Sequence, residues 1–222
     1  MNIIRQLASI LAVAFLSGPA AAGDSALCSD ALGWSSATSV RTSSDDTNTS
    51  VRIQRHSDGV RIDMNGPGQA KTLIMLETGE RMFRGSTSGV EDFGFADIEA
   101  GAPIHYLQQR FPTPCDAQRA GTFHIKADGN DPSIAGGGSI SGTIHAGSDS
   151  LRYTLDFYSD RPPQRVRRIH GEWSVAALLP IPADTAIDGW SLQRDDTGVI
   201  EKIQSTTIGD FQKRQTARDG NP

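Results

Sequence analysis

Residues 49–85 read TSVRIQRHSDGVRIDMNGPGQAKTLIMLETGERMFRG, and this stretch decides the fold. Val51 and Ile53 alternate with Arg52 and Gln54. Val60, Ile62 and Met64 alternate with Arg61 and Asp63. An apolar run follows (Leu73, Ile74, Met75, Leu76), and then Met82 and Phe83. Turn chemistry separates the segments: Ser57-Asp58-Gly59, Asn65-Gly66-Pro67-Gly68 and Thr78-Gly79-Glu80. Apolar residues at every second position, cut by Gly, Asn and Asp, mark antiparallel strands joined by short turns. The run at 73–76 does not alternate, so its strand is expected to be covered on both faces.

Outward from this meander the same pattern recurs. Residues 34–42 are expected to form a strand before it, and residues 43–49 (SSDDTNT) an exposed turn. Downstream, strands are expected at 121–127, 139–146 and 151–158. The last has Leu151, Tyr153, Leu155 and Phe157 facing inward. A long strand is expected over 166–179, with Ile169, Trp173, Val175, Ala177 and Leu179 on one face. Segments 186–194 and 198–208 close the sheet. Residues 102–111 (APIHYLQQRF) predict a helix: Pro103 suits the first turn, and Ile104, Leu107 and Phe111 share a face. Pro112 and Pro114 are expected to stop it. The fold class is therefore mainly β. The expectation is a single curved antiparallel sheet or unclosed half-barrel of about eleven strands, with one or two short helices.

Compartment follows from the ends and the cysteines. Residues 1–22 carry a basic Arg5, an apolar core over 7–16, and Ala20-Ala21-Ala22. This is the pattern of a cleaved export signal, too short to span a bilayer. Residues 23–208 are expected to form one β-rich domain, and residues 209–222 a loose polar tail. Of 21 basic and 26 acidic side chains, only Arg5 lies before residue 23, which leaves 20 against 26, a net of −6. An acidic chain of this kind lacks the basic footprint that nucleic acid requires, and no later stretch is apolar for long enough to cross a membrane. The two cysteines, Cys28 and Cys115, read as a disulfide in an oxidising periplasmic or extracellular space. The other reading of Cys28, a lipid anchor, asks for a small residue just before it, and Leu27 is not small.

Catalytic patterns are weak. The five histidines (His56, His105, His124, His145, His170) have no metal-binding spacing. His124 and His145 are expected on one outer surface. Asp128-Gly129-Asn130-Asp131 echoes a calcium loop but lacks its closing glutamate. Residues 23–27 (GDSAL) superficially match a serine-hydrolase motif, but no strand precedes them. Asp45-Asp46 and Asp195-Asp196 are adjacent pairs, which on a strand point to opposite faces. No catalytic residue, metal or cofactor is assigned. Arg165, Arg167, Arg168 and His170 form a local basic cluster suited to an anion or a lipid headgroup. Met64, Met75 and Met82 suit an adaptable hydrophobic surface. With Leu73, Phe83, Phe157, Trp173 and Trp190 they are the candidate ligand-contacting residues.

Arg61-Ile62-Asp63-Met64, Gly66-Pro67-Gly68, the strand at 72–76 and Gly79-Glu80-Arg81-Met82-Phe83 resemble the central meander of LolA-like periplasmic proteins, the class of the outer-membrane lipoprotein carriers. The resemblance covers about 35 residues. It implies an unclosed β-barrel capped by short helices, with a hydrophobic cavity for acyl chains and no catalysis. The functional expectation is thus an exported envelope protein that binds a lipid or other apolar ligand between sheet and helix. The alternatives are a structural or interaction protein of the periplasm with a packed core, and a hydrolase whose residues converge only in space.

Overall fold

The computed structural model describes residues 25–85, 102–127, 137–160, 163–194 and 200–219. The export segment at 1–22, the calcium-like loop at 128–131 and Asp195-Asp196 lie outside the described residues.

The first five strands are β1 (Ser39–Ser44), β2 (Thr49–His56), β3 (Gly59–Gly66), β4 (Gln69–Leu76) and β5 (Glu80–Arg84). Helices α1 (Ala102–Arg110) and α2 (Pro114–Ala120) follow. Then come β6 (Thr122–Ala127), β7 (Gly138–Ala146), β8 (Ser150–Asp160) and β9 (Pro163–Ser174). The chain ends with β10 (Ser191–Arg194), β11 (Ile200–Lys202) and helix α3 (Ile208–Asp219). All eleven strands belong to one antiparallel sheet in the order β11-β10-β5-β4-β3-β2-β1-β9-β8-β7-β6. Two meanders, β1–β5 and β6–β9, are thus joined side by side where β9 pairs with β1. The edge strands β11 and β6 do not meet, so the sheet is unclosed.

Cross-strand partners share a face, and the register therefore sorts every side chain. One row runs Leu151, Trp173, Val40, Ile53, Ile62, Leu73, Phe83 through seven neighbouring strands. The next row, on the other face, runs Arg152, Glu172, Arg41, Arg52, Asp63, Thr72. The sheet thus has an apolar face and a charged face. Over β6–β9 the apolar face is closed by α1, α2 and the N-terminal segment: Leu27, Trp34, Leu107, Phe111 and Ala117 pack on Leu151, Leu155, Phe157 and Trp173. Trp34 and Trp173 meet edge to face at 5.8 Å. Their indole N–H groups donate to the carbonyls of Phe111 (2.9 Å) and Trp34 (3.0 Å), so neither buried donor is orphaned.

At the other end the layers invert. Ile74, Leu76, Met82 and Leu192 project from the opposite side of β4, β5 and β10. Ile181, Ile187, Trp190, Ile203, Ile208 and Phe211 cover them. Asp58, in the β2–β3 turn, fastens this cover: its carboxylate accepts from the Ile181 backbone N–H (2.8 Å) and from Gln212 (3.2 Å). Strand β4 is accordingly buried on both sides, with Leu73 on one and Ile74 and Leu76 on the other.

Several expectations are corrected. Residues 34–36 form a 3-10 turn, and the first strand starts at Ser39. Pro114 does not end helical structure. It opens α2 at its first turn, behind a Thr113 cap whose hydroxyl accepts from Asp116 N–H. Among the described residues there are thus three α-helices rather than one or two. β9 ends at Ser174; Val175 still packs on the covered core, but the strand does not continue through Ala177 and Leu179, and Leu179 is 68% exposed. Residues 186–190 and 203–207 lie outside the strands, apart from an isolated bridge between Ala186 and Thr207. Residues 208–219 form α3 rather than a loose tail, because Ile208 and Phe211 bury against the sheet.

Cys28 and Cys115 are disulfide-bonded, with Cα atoms 4.8 Å apart across a sequence separation of 87. The bond joins the 3-10 turn at Ala26–Cys28 to α2, not to α1. In the chain-entropy account, closing a loop of this length restricts the unfolded chain by about 4–5 kcal/mol.

Candidate functional site

The apolar candidates divide between the two faces. Met64, Leu73, Met75 and Phe83 sit together on the apolar face of the meander, in a cluster with Ile62. Phe157 and Trp173 lie on the same face but beneath the helical cover. Trp190 lies on the opposite side of the sheet, under α3, and belongs to a different core. Leu73, Phe83, Phe157 and Trp173 are all at most 2% exposed. Met64 and Met75 are half-buried, as are their neighbours Val51, Ile53 and Val60. These five side chains make a partly open apolar strip on β2, β3 and β4, beside the covered half of the same face.

A polar seam borders the strip. The row Tyr153, Gly171, Thr42, Val51, Met64 crosses β8, β9, β1, β2 and β3 in register. Tyr153 is 2% exposed and its ring lies across Gly171. A Cβ added there would come within 1.9 Å of Tyr153 Cζ and 2.2 Å of its hydroxyl oxygen. The missing side chain therefore lets the ring pass over β9 toward β1. Gly142 makes the same room for the Phe123 ring. Burial pushes the Tyr153 hydroxyl up to about 12, and the Thr42 hydroxyl nearby tempers the shift. Yet among the described residues no group, the Thr42 hydroxyl included, meets full hydrogen-bond geometry at the Tyr153 hydroxyl. The same is true of Ser44 Oγ, on a residue 6% exposed, and of Arg167 Nε. Ser44 pairs with Ile169. Ile169 is two residues from Arg167 on one side and two from Gly171 on the other, so the three orphaned groups share one face over four residues of β9, about 13 Å of strand.

Arg167 thereby parts from its expected companions. It pairs with Phe157 on the apolar side, whereas Arg168 pairs with Asp156 and His170 with Thr154 on the charged side. There the basic groups are matched by acids. Arg168 donates two hydrogen bonds to Asp156, at 2.7 and 2.8 Å, and Arg165 stands 3.8 Å from the same carboxylate. These contacts, the Arg168 hydrogen bonds first, hold the Asp156 carboxyl below its ordinary range. His170 bridges Asp45 (Nε2 to Oδ2, 3.1 Å) and Thr154 (Nδ1 to Oγ1, 3.1 Å). Asp46 accepts the Arg168 backbone N–H at 2.7 Å. The charged face also carries an open groove of about 390 Å³ lined by Arg41, His145, Arg152, His170 and Glu172. His124 and His145 both lie on that face, as expected, and His124 bonds Ser141 Oγ at 3.0 Å. Among the described residues, no three His, Cys, Asp or Glu side chains gather to hold a metal ion.

Sequence reading missed the seam. One signal was available: an inward aromatic faces a glycine across each pair of strands, Phe123 opposite Gly142 and Tyr153 opposite Gly171. Compared with protein-family models, curated proteins and solved structures, the chain matches none of them.

Proposed function

We propose that this protein binds the apolar chain of a lipid or similar ligand, without catalysis, along the apolar face of its unclosed sheet, in the bacterial cell envelope. The observation that carries the reading is the strip of Val51, Ile53, Val60, Met64 and Met75, five large apolar side chains left half-buried on one face. An apolar chain laid there would remove more of their surface from water, at roughly 25 cal/mol per Å². Two of the five are methionines, whose unbranched side chains adapt to irregular partners. The resemblance of the meander to LolA-like carriers points the same way, and the disulfide is compatible with an oxidising compartment. Residues 1–22 would direct export, and the working protein would begin near residue 23.

Native mass spectrometry of the protein isolated from a periplasmic fraction tests the reading. A retained mass in the acyl-lipid range is expected, and it should be lost when Met64 and Met75 are both replaced by Gln. The competing reading, a packed envelope protein with no ligand, draws on the complete burial of Leu73, Phe83, Phe157 and Trp173. A protein that carries no ligand and takes up no added fatty acid would select it.

A further inference from the structure

We infer that the ligand's head is anionic, and that Tyr153, Ser44 and Arg167 receive it at the seam between the covered and half-open parts of the apolar face. This rests on the proposed function and adds the chemical class of the ligand. A buried polar atom without a partner is costly, and such atoms are rare in folded proteins. Three occur on one face of three neighbouring strands, over four residues of β9: the Tyr153 hydroxyl, Ser44 Oγ and Arg167 Nε. Both Tyr153 and Ser44 are more than nine-tenths buried.

All three groups can donate a hydrogen bond, and one belongs to a permanent cation. Among the described residues no carboxylate pairs with Arg167, whereas Arg165 and Arg168 share Asp156. The chemistry that satisfies two hydroxyls and a guanidinium is a carboxylate or phosphate oxygen, held by charge-assisted bonds. The same row continues from Gly171 through Thr42 to Val51 and Met64. A head at Tyr153 therefore delivers its chain onto the apolar strip. The Gly171 clearing is what lets the Tyr153 hydroxyl reach the seam. The ligand class is a single-chain amphiphile with an acidic head.

Isothermal titration of the mature chain with dodecanoate, dodecyl phosphate, dodecanol, acetate and inorganic phosphate tests this. Dodecanoate or dodecyl phosphate should bind at least about tenfold tighter than dodecanol, because charged hydrogen bonds are worth more than that factor. Acetate and inorganic phosphate should not bind measurably. In Tyr153→Phe and Ser44→Ala proteins the preference for the acidic amphiphile should shrink while dodecanol binding stays. Without ligand, Tyr153→Phe should melt no lower than the parent, since it deletes an unsatisfied group, so a folding defect does not confuse the result. Equal affinity for dodecanoate and dodecanol would overturn the inference while leaving the lipid-binding proposal intact. Tight binding of acetate or inorganic phosphate alone would overturn it in favour of a free-anion site. Binding of none of the five would sink the functional proposal itself.

Discussion

The apolar face of this sheet is one surface finished in two ways. Over β6–β9 it is sealed: two helices, a disulfide-anchored turn and Trp34 cover Leu151, Leu155, Phe157 and Trp173 completely. Over β2–β4 the same rows continue, but Val51, Ile53, Val60, Met64 and Met75 remain half-buried. Both halves have the same alternation and similar residue types, so local propensity does not separate them. The difference is tertiary cover. A face that has spent all its apolar surface on its own core is stability; a face with surface left over has something to offer a partner. The unpartnered hydroxyls and the Arg167 Nε stand where the two halves meet.

The contrast should show most strongly in matched truncations. Trp173→Ala removes a fully buried ring and the indole N–H that satisfies the Trp34 carbonyl. It should cost about 4 kcal/mol, within the usual range for large aromatics. Met64→Ala in the half-open strip should cost about 1 kcal/mol, since much of its transfer energy is not yet realised. Urea unfolding of the two variants measures both. Equal losses would mean that the strip is as much a core as the covered half.

The cover itself can be loosened. Replacing Cys28 and Cys115 by Ser should destabilise the protein by about 3 kcal/mol. Hydrogen exchange locates the effect: amides of β6–β8 should exchange faster, because α2 and the N-terminal turn lie over that end. Amides of β3 and β4 should change least. A uniform rise would show that the two halves open as one unit.

The seam gives a smaller and more diagnostic effect. Gly171→Ala places a Cβ 1.9 Å from Tyr153 Cζ, so the ring must leave its clearing, at a cost of about 2 kcal/mol. Tyr153→Phe keeps the ring and removes only the orphaned hydroxyl, which should raise apo stability by about 1 kcal/mol. Opposite signs at two positions in direct cross-strand contact would separate the need for the ring from the need for its hydroxyl. A loss in Tyr153→Phe would mean that the hydroxyl is already satisfied in the folded protein.

What the sequence revealed and what it hid follow the same division. The meander over 49–85 was legible because each strand alternates and each turn carries Gly, Asn or Asp; β2 to β5 lie where expected. The strand at 151–158 was legible for the same reason. Residues 175–179 misled because they continue the apolar count after β9 has ended; nothing local marks Ser174 as the last paired residue. The polar segment 209–222 hid a helix because the apolar side chains that seat it, Ile208 and Phe211, are too few to show a period, and its other tie, Gln212 to Asp58, is polar. The site was harder still. Arg167 and Arg168 are neighbours in sequence, and the cluster reading joined what strand alternation separates. The three orphaned groups come from β1, β8 and β9: Ser44 precedes Tyr153 by 109 positions and Arg167 by 123, and only strand pairing sets β1 beside β9 and β9 beside β8. No short motif encodes an adjacency of that kind.

The smallest expected effect lies on the charged face and bears on the comparison from outside. Arg168 and Arg165 keep the Asp156 carboxyl below its ordinary range. The folded protein therefore binds a proton there less readily than the unfolded chain. The resulting stability is present above the unfolded pKa of about 4 and fades as pH falls through the lower folded value. Asp156→Asn should lose less than about 1 kcal/mol at neutral pH, as is usual for ion pairs near the surface. Its stability should fall less steeply than the parent's below pH 4, a difference that thermal melts from pH 7 to pH 2 would resolve. Binding of dodecanoate should be unchanged by the substitution, because Asp156 and Arg168 project away from the seam. Should the variant bind dodecanoate more tightly, the Arg165 and Arg168 cations released on the charged face, rather than Arg167, would be the groups that attract the head.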